Sequence, residues 1–166
     1  MLARAISRFF TAQIEEIRDD KVLRIFGACV AATYVLSAVY WLDKGDAAMV
    51  ASGADAICWP FLEGCRALRW MSESLARTYM AGLGVLAAVT AVLFVPKKTV
   101  RIANWLLIAC IVVKAYWMAL DYRTRLNQHY MAFFASTAFL LLPSKRDAVR
   151  LTIALFYFWA GAIKLN

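Results

Sequence analysis

The stretch Ile102-Ala103-Asn104-Trp105-Leu106-Leu107-Ile108-Ala109-Cys110-Ile111-Val112-Val113-Lys114-Ala115-Tyr116-Trp117-Met118-Ala119-Leu120 carries one charged side chain, Lys114, in nineteen residues. It lacks the strict apolar–polar alternation of a barrel strand. Wound as a helix it is ~28 Å long, close to the ~30 Å hydrocarbon core of a bilayer. Comparable runs occur at 22–43, 78–95, 127–142 and 148–164. The last two are short, so they are expected to rely on neighbouring helices or a locally thin bilayer. Composition agrees: of 166 residues, 63% are hydrophobic and only 18% charged, and mean hydropathy is +0.62. These values lie far from globular averages. The expected fold is all-α: a polytopic transmembrane helix bundle of about five spans, with a barrel excluded.

Residues 1–20 read differently. Leu2, Ile6, Phe9, Phe10, Ile14 and Ile17 share one helical stripe, with Arg4, Arg8, Glu15 and Arg18 opposite. This pattern predicts an amphipathic interfacial helix. Glu15, Glu16, Asp19 and Asp20 interrupt the apolar centre that a secretory signal needs, so the segment is expected to remain attached. No repeat or linker divides the rest, and 21–166 reads as one transmembrane domain.

Charge sets the expected orientation. Pro96 and Pro143 close the second and fourth spans, followed by Lys97, Lys98 and Arg101, and by Lys145, Arg146 and Arg150. With Arg4, Arg8, Arg18, Lys21 and Arg24, eleven of the nineteen basic residues fall on one side when the spans alternate. The positive-inside rule then places the N-terminus in the cytoplasm and Asn166 outside, periplasmic if the membrane is a bacterial inner membrane, the expected location. The 44–77 connection and the turn from Asp121 to Leu126 would lie on that outer face. The connection contains Trp59, Pro60, Phe61, Leu62, Leu68 and Trp70, which suggests an interfacial or re-entrant segment. Cys58 and Cys65 within it are either a disulfide or two structural thiols.

The net charge of +8 comes without a nucleic-acid recognition motif, and the bilayer explains it better than a nucleic-acid partner. Four cysteines and one histidine show no paired ligand spacing, so no zinc or iron–sulfur site is expected. Gly82-x-Gly84 sits in an apolar span and is not a phosphate loop.

Ionisable groups inside spans are costly, which singles out Lys114, His129 and Lys164. His129 lies about one turn into the fourth span from the outer face, Lys164 ends the fifth, and Asp121 follows the third at the same level. Lys164 reads either as a general base, its amine freed by partial desolvation, or as a lysine snorkelling to the interface. His129 reads as a site residue or as a hydrogen bond to a neighbouring helix. Lys114, deeper, is expected to contact an acid or a carbonyl. Ala160 and Gly161 allow close helix packing or room for a flat ligand. Tyr116, Trp117, Tyr130, Phe133, Tyr157, Phe158 and Trp159 would either wall a quinone ring or form an interfacial aromatic belt.

The end of the chain, Phe158-Trp159-Ala160-Gly161-Ala162-Ile163-Lys164-Leu165-Asn166, resembles the aromatic-Ala-Gly-x-x-Lys-Leu-Asn/Asp signature of the HTTM family, the membrane domain of vitamin K-dependent gamma-carboxylases. Upstream, Tyr116-Trp117, Leu120-Asp121 and Asn127-x-His129-Tyr130 resemble the segment of those proteins that enters the next span. The resemblance covers roughly residues 20–166. It implies that Lys164 deprotonates vitamin K hydroquinone or another quinol and that His129 holds or polarises it. Asn127, Tyr157, Gly161 and Asp121 would lie around the cofactor. Family members continue past the Lys-Leu-Asn element, so either this is a fragment or a shortened homologue completed by another membrane subunit. Two functions are therefore expected: a quinol-dependent, carboxylase-like enzyme at the outer face, or a non-catalytic scaffold or accessory subunit of a larger complex. Transport ranks last, because no span carries paired acids or a break with a clear ion path.

Overall fold

A computed structural model describes residues 2–52, 72–120 and 127–164. The described elements are all helical: α1 (Leu2–Asp19), α2 (Lys21–Asp43), α3 (Asp46–Ser52), α4 (Glu73–Phe94), α5 (Val100–Leu120), α6 (Asn127–Leu141) and α7 (Lys145–Lys164), with one 3₁₀ turn, Lys97–Thr99, before α5. Three stretches are long and apolar enough to cross a bilayer: Lys21–Asp43, Glu73–Phe94 and Lys97–Leu120. His129–Leu141 is a shorter apolar helix. The apolar runs read from the sequence thus all fall on helices, with ends shifted by a few residues, most at α4, which begins at Glu73 rather than 78.

Local chemistry sets the helix ends. Asp20 alone separates α1 from α2; its carboxylate accepts from the Val22 N–H at 2.8 Å and caps α2. Ser72 caps α4 by accepting from the Leu75 N–H. Gly45, with φ of 73°, turns the chain from α2 into α3, a left-handed conformation that a side chain would resist.

The centre of the bundle is α2. Leu23, Gly27, Val30, Ala31, Tyr34, Ser37, Ala38 and Trp41 recur every three or four residues and form its buried stripe. α4 runs antiparallel to it at close range: a Cβ on Gly27 would come within 2.9 Å of the Phe94 ring, and one on Gly84 within 3.2 Å of the Ala38 Cβ. Small residues permit this approach. α6 also runs antiparallel to α2, with Phe26 against Phe139 and Tyr34 bonded to Ser136. α5 lies antiparallel to α4, joined by Thr90 to Cys110 and by Tyr79 to Trp117.

This topology gathers α1, the α4–α5 turn and the α6–α7 turn at one end, with Arg18, Lys97, Lys98, Arg101, Lys145 and Arg146 around it. The three basic segments singled out in the sequence therefore share one end of the fold. α1 is latched there. Glu16 accepts from the Lys145 backbone N–H and so caps α7. Lys145 Nζ, buried, donates to Gln13 Oε1 and to the carbonyls of Phe139, Leu140 and Leu142, which closes the C-terminal end of α6. Asp20 pairs with Arg146 at 3.0 Å. Arg24 reaches the Arg18 and Val95 carbonyls and ties the α1–α2 corner to α4.

Candidate functional site

The far half of the bundle holds a buried polar cluster on three helices. Ser37, about two thirds of the way along α2, faces α5 and α6 at once. Lys114 Nζ on α5 donates to its Oγ at 2.9 Å, and His129 Nδ1 on α6 lies 2.9 Å from the same oxygen. Ser37 Oγ also donates to the Thr33 carbonyl one turn below, at 3.0 Å. Lys114 is 0% exposed and His129 1%.

The cluster sits among aromatic rings. Lys114 Nζ lies 4.4 Å from the Tyr34 ring centroid and 5.9 Å from that of Trp41. Ring faces carry negative potential, so they stabilise an ammonium that has left water. The His129 ring lies 4.9 Å from Trp41 and 5.7 Å from Tyr40. Trp117 stands 6.0 Å from Trp41 on the α5 side. Among the described residues Lys114 meets no carboxylate. Its described partners are a hydroxyl and two rings, which need no second charge to be buried.

A serine hydroxyl has one proton and can accept twice. With that proton on the Thr33 carbonyl, Ser37 accepts from both Lys114 and His129 Nδ1–H, leaving Nε2 of the imidazole as a bare lone pair. His129 Nε2 is buried and has no hydrogen-bond partner among the described residues, and neither has Trp117 Nε1–H. An acceptor and a donor, both buried and without a hydrogen-bond partner among the described residues, thus lie beside Trp41. Buried polar atoms are normally paired, so each exception calls for an explanation; the third among the described residues, Gln13 Nε2, lies apart from this cluster, beside Lys145.

The other candidates lie apart from this cluster or beyond description. Lys164 closes α7 at the same end of the bundle, but its side chain, like that of Asn127, is outside the described set. Asp121, Cys58 and Cys65 also lie outside the described residues, as does the segment from Trp59 to Trp70. Counted from the α6–α7 turn at 1.5 Å per residue, His129 stands ~18 Å up α6 and Lys164 ~28 Å up α7. Tyr157 is 78% exposed and takes no part in the cluster. Gly161 is exposed, with nothing within 4 Å of where a Cβ would stand, so it opens space without mediating close packing. Cys29 is an exposed free thiol and Cys110 a buried one. No group of three potential metal ligands occurs among the described residues.

Sequence reasoning singled out His129 and Lys114 but missed Ser37, which joins them. Its only signal is register: Ser37 is the one hydroxyl on the buried stripe of α2 after Tyr34. Tyr34 also escaped notice, because a tyrosine in an apolar run reads as belt or core until its partner is known.

Outside the long apolar helices, Asp20 has its carboxyl held below the usual carboxylate range. The Val22 backbone N–H is the main cause, and the Arg146 guanidinium assists.

Comparison with models of known protein families, with curated proteins and with solved structures finds no match to this chain.

Proposed function

We propose that the chain is a five-crossing, HTTM-like integral membrane protein, with its basic end in the cytoplasm, that binds a quinol-type cofactor near the outer face and accepts its proton at His129. The observation that carries this reading is the buried, unpartnered His129 Nε2 at the end of a Lys114–Ser37–His129 chain of hydrogen bonds. A quinol hydroxyl supplies the missing donor, and the rings of Tyr40 and Trp41 supply a surface of matching polarity. A proton taken at Nε2 stays on the ring as imidazolium, whose Nδ1–H still donates to Ser37 Oγ while the Ser37 hydroxyl keeps its bond to the Thr33 carbonyl. The resemblance at the end of the chain adds vitamin K hydroquinone as the cofactor and Lys164 as a second base. His129 is covered in this structure, so binding requires side chains at that end to move.

Titrating a short-chain naphthoquinone into the protein in lipid nanodiscs, with tryptophan fluorescence as readout, tests this. Saturable quenching by the wild type that is lost in His129→Gln supports the site; equal quenching by both refutes it.

A second reading, an accessory subunit, is favoured by α7. Residues 153–158 are exposed on every face of the helix, Phe156, Tyr157 and Phe158 among them. A helix at a bundle's edge usually covers one side of itself. A photo-crosslinking residue at Phe158 in native membranes would yield one discrete protein adduct on this reading, and lipid adducts alone would reject it.

A further inference from the structure

A groove of about 390 Å³ lies at the basic end, between α1 and the α4–α5 turn. Arg18, Lys97, Lys98 and Arg101 line its rim, and Ile14 and Val100 line its floor. The turn is held in shape by Thr99 Oγ1, which donates to the Leu93 and Pro96 carbonyls. α5 begins at Val100, so the positive end of that helix opens on the groove.

The pairing of these cations sets the groove apart. Elsewhere Arg77 pairs with Glu73, Arg146 with Asp20 and Arg150 with Asp147. Arg18 is bound by Asp19 at 3.1 Å. Lys97, Lys98 and Arg101 are exposed and form no ion pair among the described residues. Glu15 is the single acid lining the groove. Three cations without an ion pair among the described residues, outnumbering Glu15 on the groove wall and Asp19 near Lys97, thus surround one concave, apolar-floored site.

The apolar floor leads inward. Phe10 stands one turn before Ile14 on α1, and Trp105 one turn after Arg101 on α5; their rings lie 6.2 Å apart. Because α5 runs from the basic end into the bundle, Trp105 lies deeper than Arg101. Ile102 and Trp105, 55% and 54% exposed, continue this surface along α5. Charge outside and apolar surface running inward match a lipid and do not match a small soluble anion.

We propose that this groove seats an anionic phospholipid, its phosphate held by Lys97, Lys98 and Arg101 and an acyl chain lying along Ile102 and Trp105. The interfacial helix then forms one wall of a lipid site as well as resting on the membrane. Basic clusters beside membrane spans attract acidic lipids by roughly one Lys or Arg's worth of charge at a time, about fivefold in binding each. The inference rests on the membrane placement alone and is independent of the quinol site.

Native mass spectrometry of the full chain, delipidated in neutral detergent and titrated with phosphatidylglycerol or phosphatidylcholine, tests it. The wild type is expected to retain phosphatidylglycerol over phosphatidylcholine, with retention falling at higher ionic strength. Lys98→Gln with Arg101→Gln should cut that preference by more than tenfold, whereas Arg77→Gln with Arg150→Gln, the same charge loss elsewhere, should leave it. Glu15→Gln, which adds no new contact, should raise it. Equal losses in the two double variants would mean that bulk charge alone attracts the lipid and would overturn the site. Displacement of the lipid by millimolar glycerol phosphate would overturn it in favour of a soluble anion.

Discussion

Ser37 is the hinge of the buried cluster, and its removal distinguishes a stabilising network from one kept for function. Ser37→Ala deletes the oxygen that Lys114 and His129 share. Among the described residues the ammonium then keeps only aromatic faces, and the imidazole loses its one described bond. Hydrogen bonds to charged groups contribute about 1.5–3 kcal/mol and an ordinary one about 1 kcal/mol, so a loss of ~2–4 kcal/mol is expected. Lys114→Met acts differently. It forfeits the bond to Ser37 and a desolvated cation–π contact of about 2 kcal/mol, yet it relieves the several kcal/mol that burying an unpaired charge costs. Its stability should stay within about 1 kcal/mol of wild type. The double variant should recover most of the Ser37→Ala loss, because the stranded charge is gone. Equilibrium unfolding in mixed micelles against sodium dodecyl sulfate, followed by tryptophan emission, reads all four proteins; Trp41 and Trp117 lie beside the cluster. Simple additivity of the two single variants would falsify the claim that Ser37 serves to satisfy Lys114. A Lys114→Met protein that is stable but no longer binds quinone would mark the lysine as retained for function.

Two further outcomes follow from the packing and the caps. The cost of adding a methyl group to α2 or α4 should track the room available: Gly27→Ala, which drives a Cβ into the Phe94 ring, should cost about 1–3 kcal/mol, Gly84→Ala less, and Gly82→Ala, with open space around it, nothing or a small gain from helix propensity; thermal unfolding of the three variants gives the order. The second concerns acid. Because the Asp20 carboxyl is held below its ordinary value of 3.8 in the fold, its contribution is complete above that value and disappears as pH falls through the lowered one; a scan of unfolding midpoints from about pH 5 to about pH 3 should show a drop that Asp20→Asn, itself a good helix cap, flattens.

Much of the fold was legible because lipid is an undemanding reader. A run such as 102–120 needs only apolar length to become a helix, since the backbone must satisfy its own hydrogen bonds wherever water is absent. The amphipathic stripe of residues 1–20 was equally plain, and so was the grouping of Arg18, Lys97 and Lys145 at one end, because alternating antiparallel helices bring every second loop together. The site was half legible. His129 and Lys114 stand out in apolar runs as costly exceptions, whereas Ser37 costs little in any helix and carries no mark.

By itself, then, the sequence determined which long apolar segments are helices, roughly where they end and which loops carry the positive charge, all consequences of local composition acting over one or two turns; the short α3, inside what reads as the 44–77 connection, came only from the structure. Only the tertiary structure decided that Lys114 is met by a serine hydroxyl and two aromatic rings, with no carboxylate beside it among the described residues. It also decided that Lys145 turns inward to close α6, and that Lys97, Lys98 and Arg101, none in an ion pair among the described residues, share a groove with Glu15 as the one acid lining it. These depend on helix rotation and on pairs separated by tens of residues. A hydrogen bond is decided by angstroms, and no periodicity in one segment can report the rotation of another.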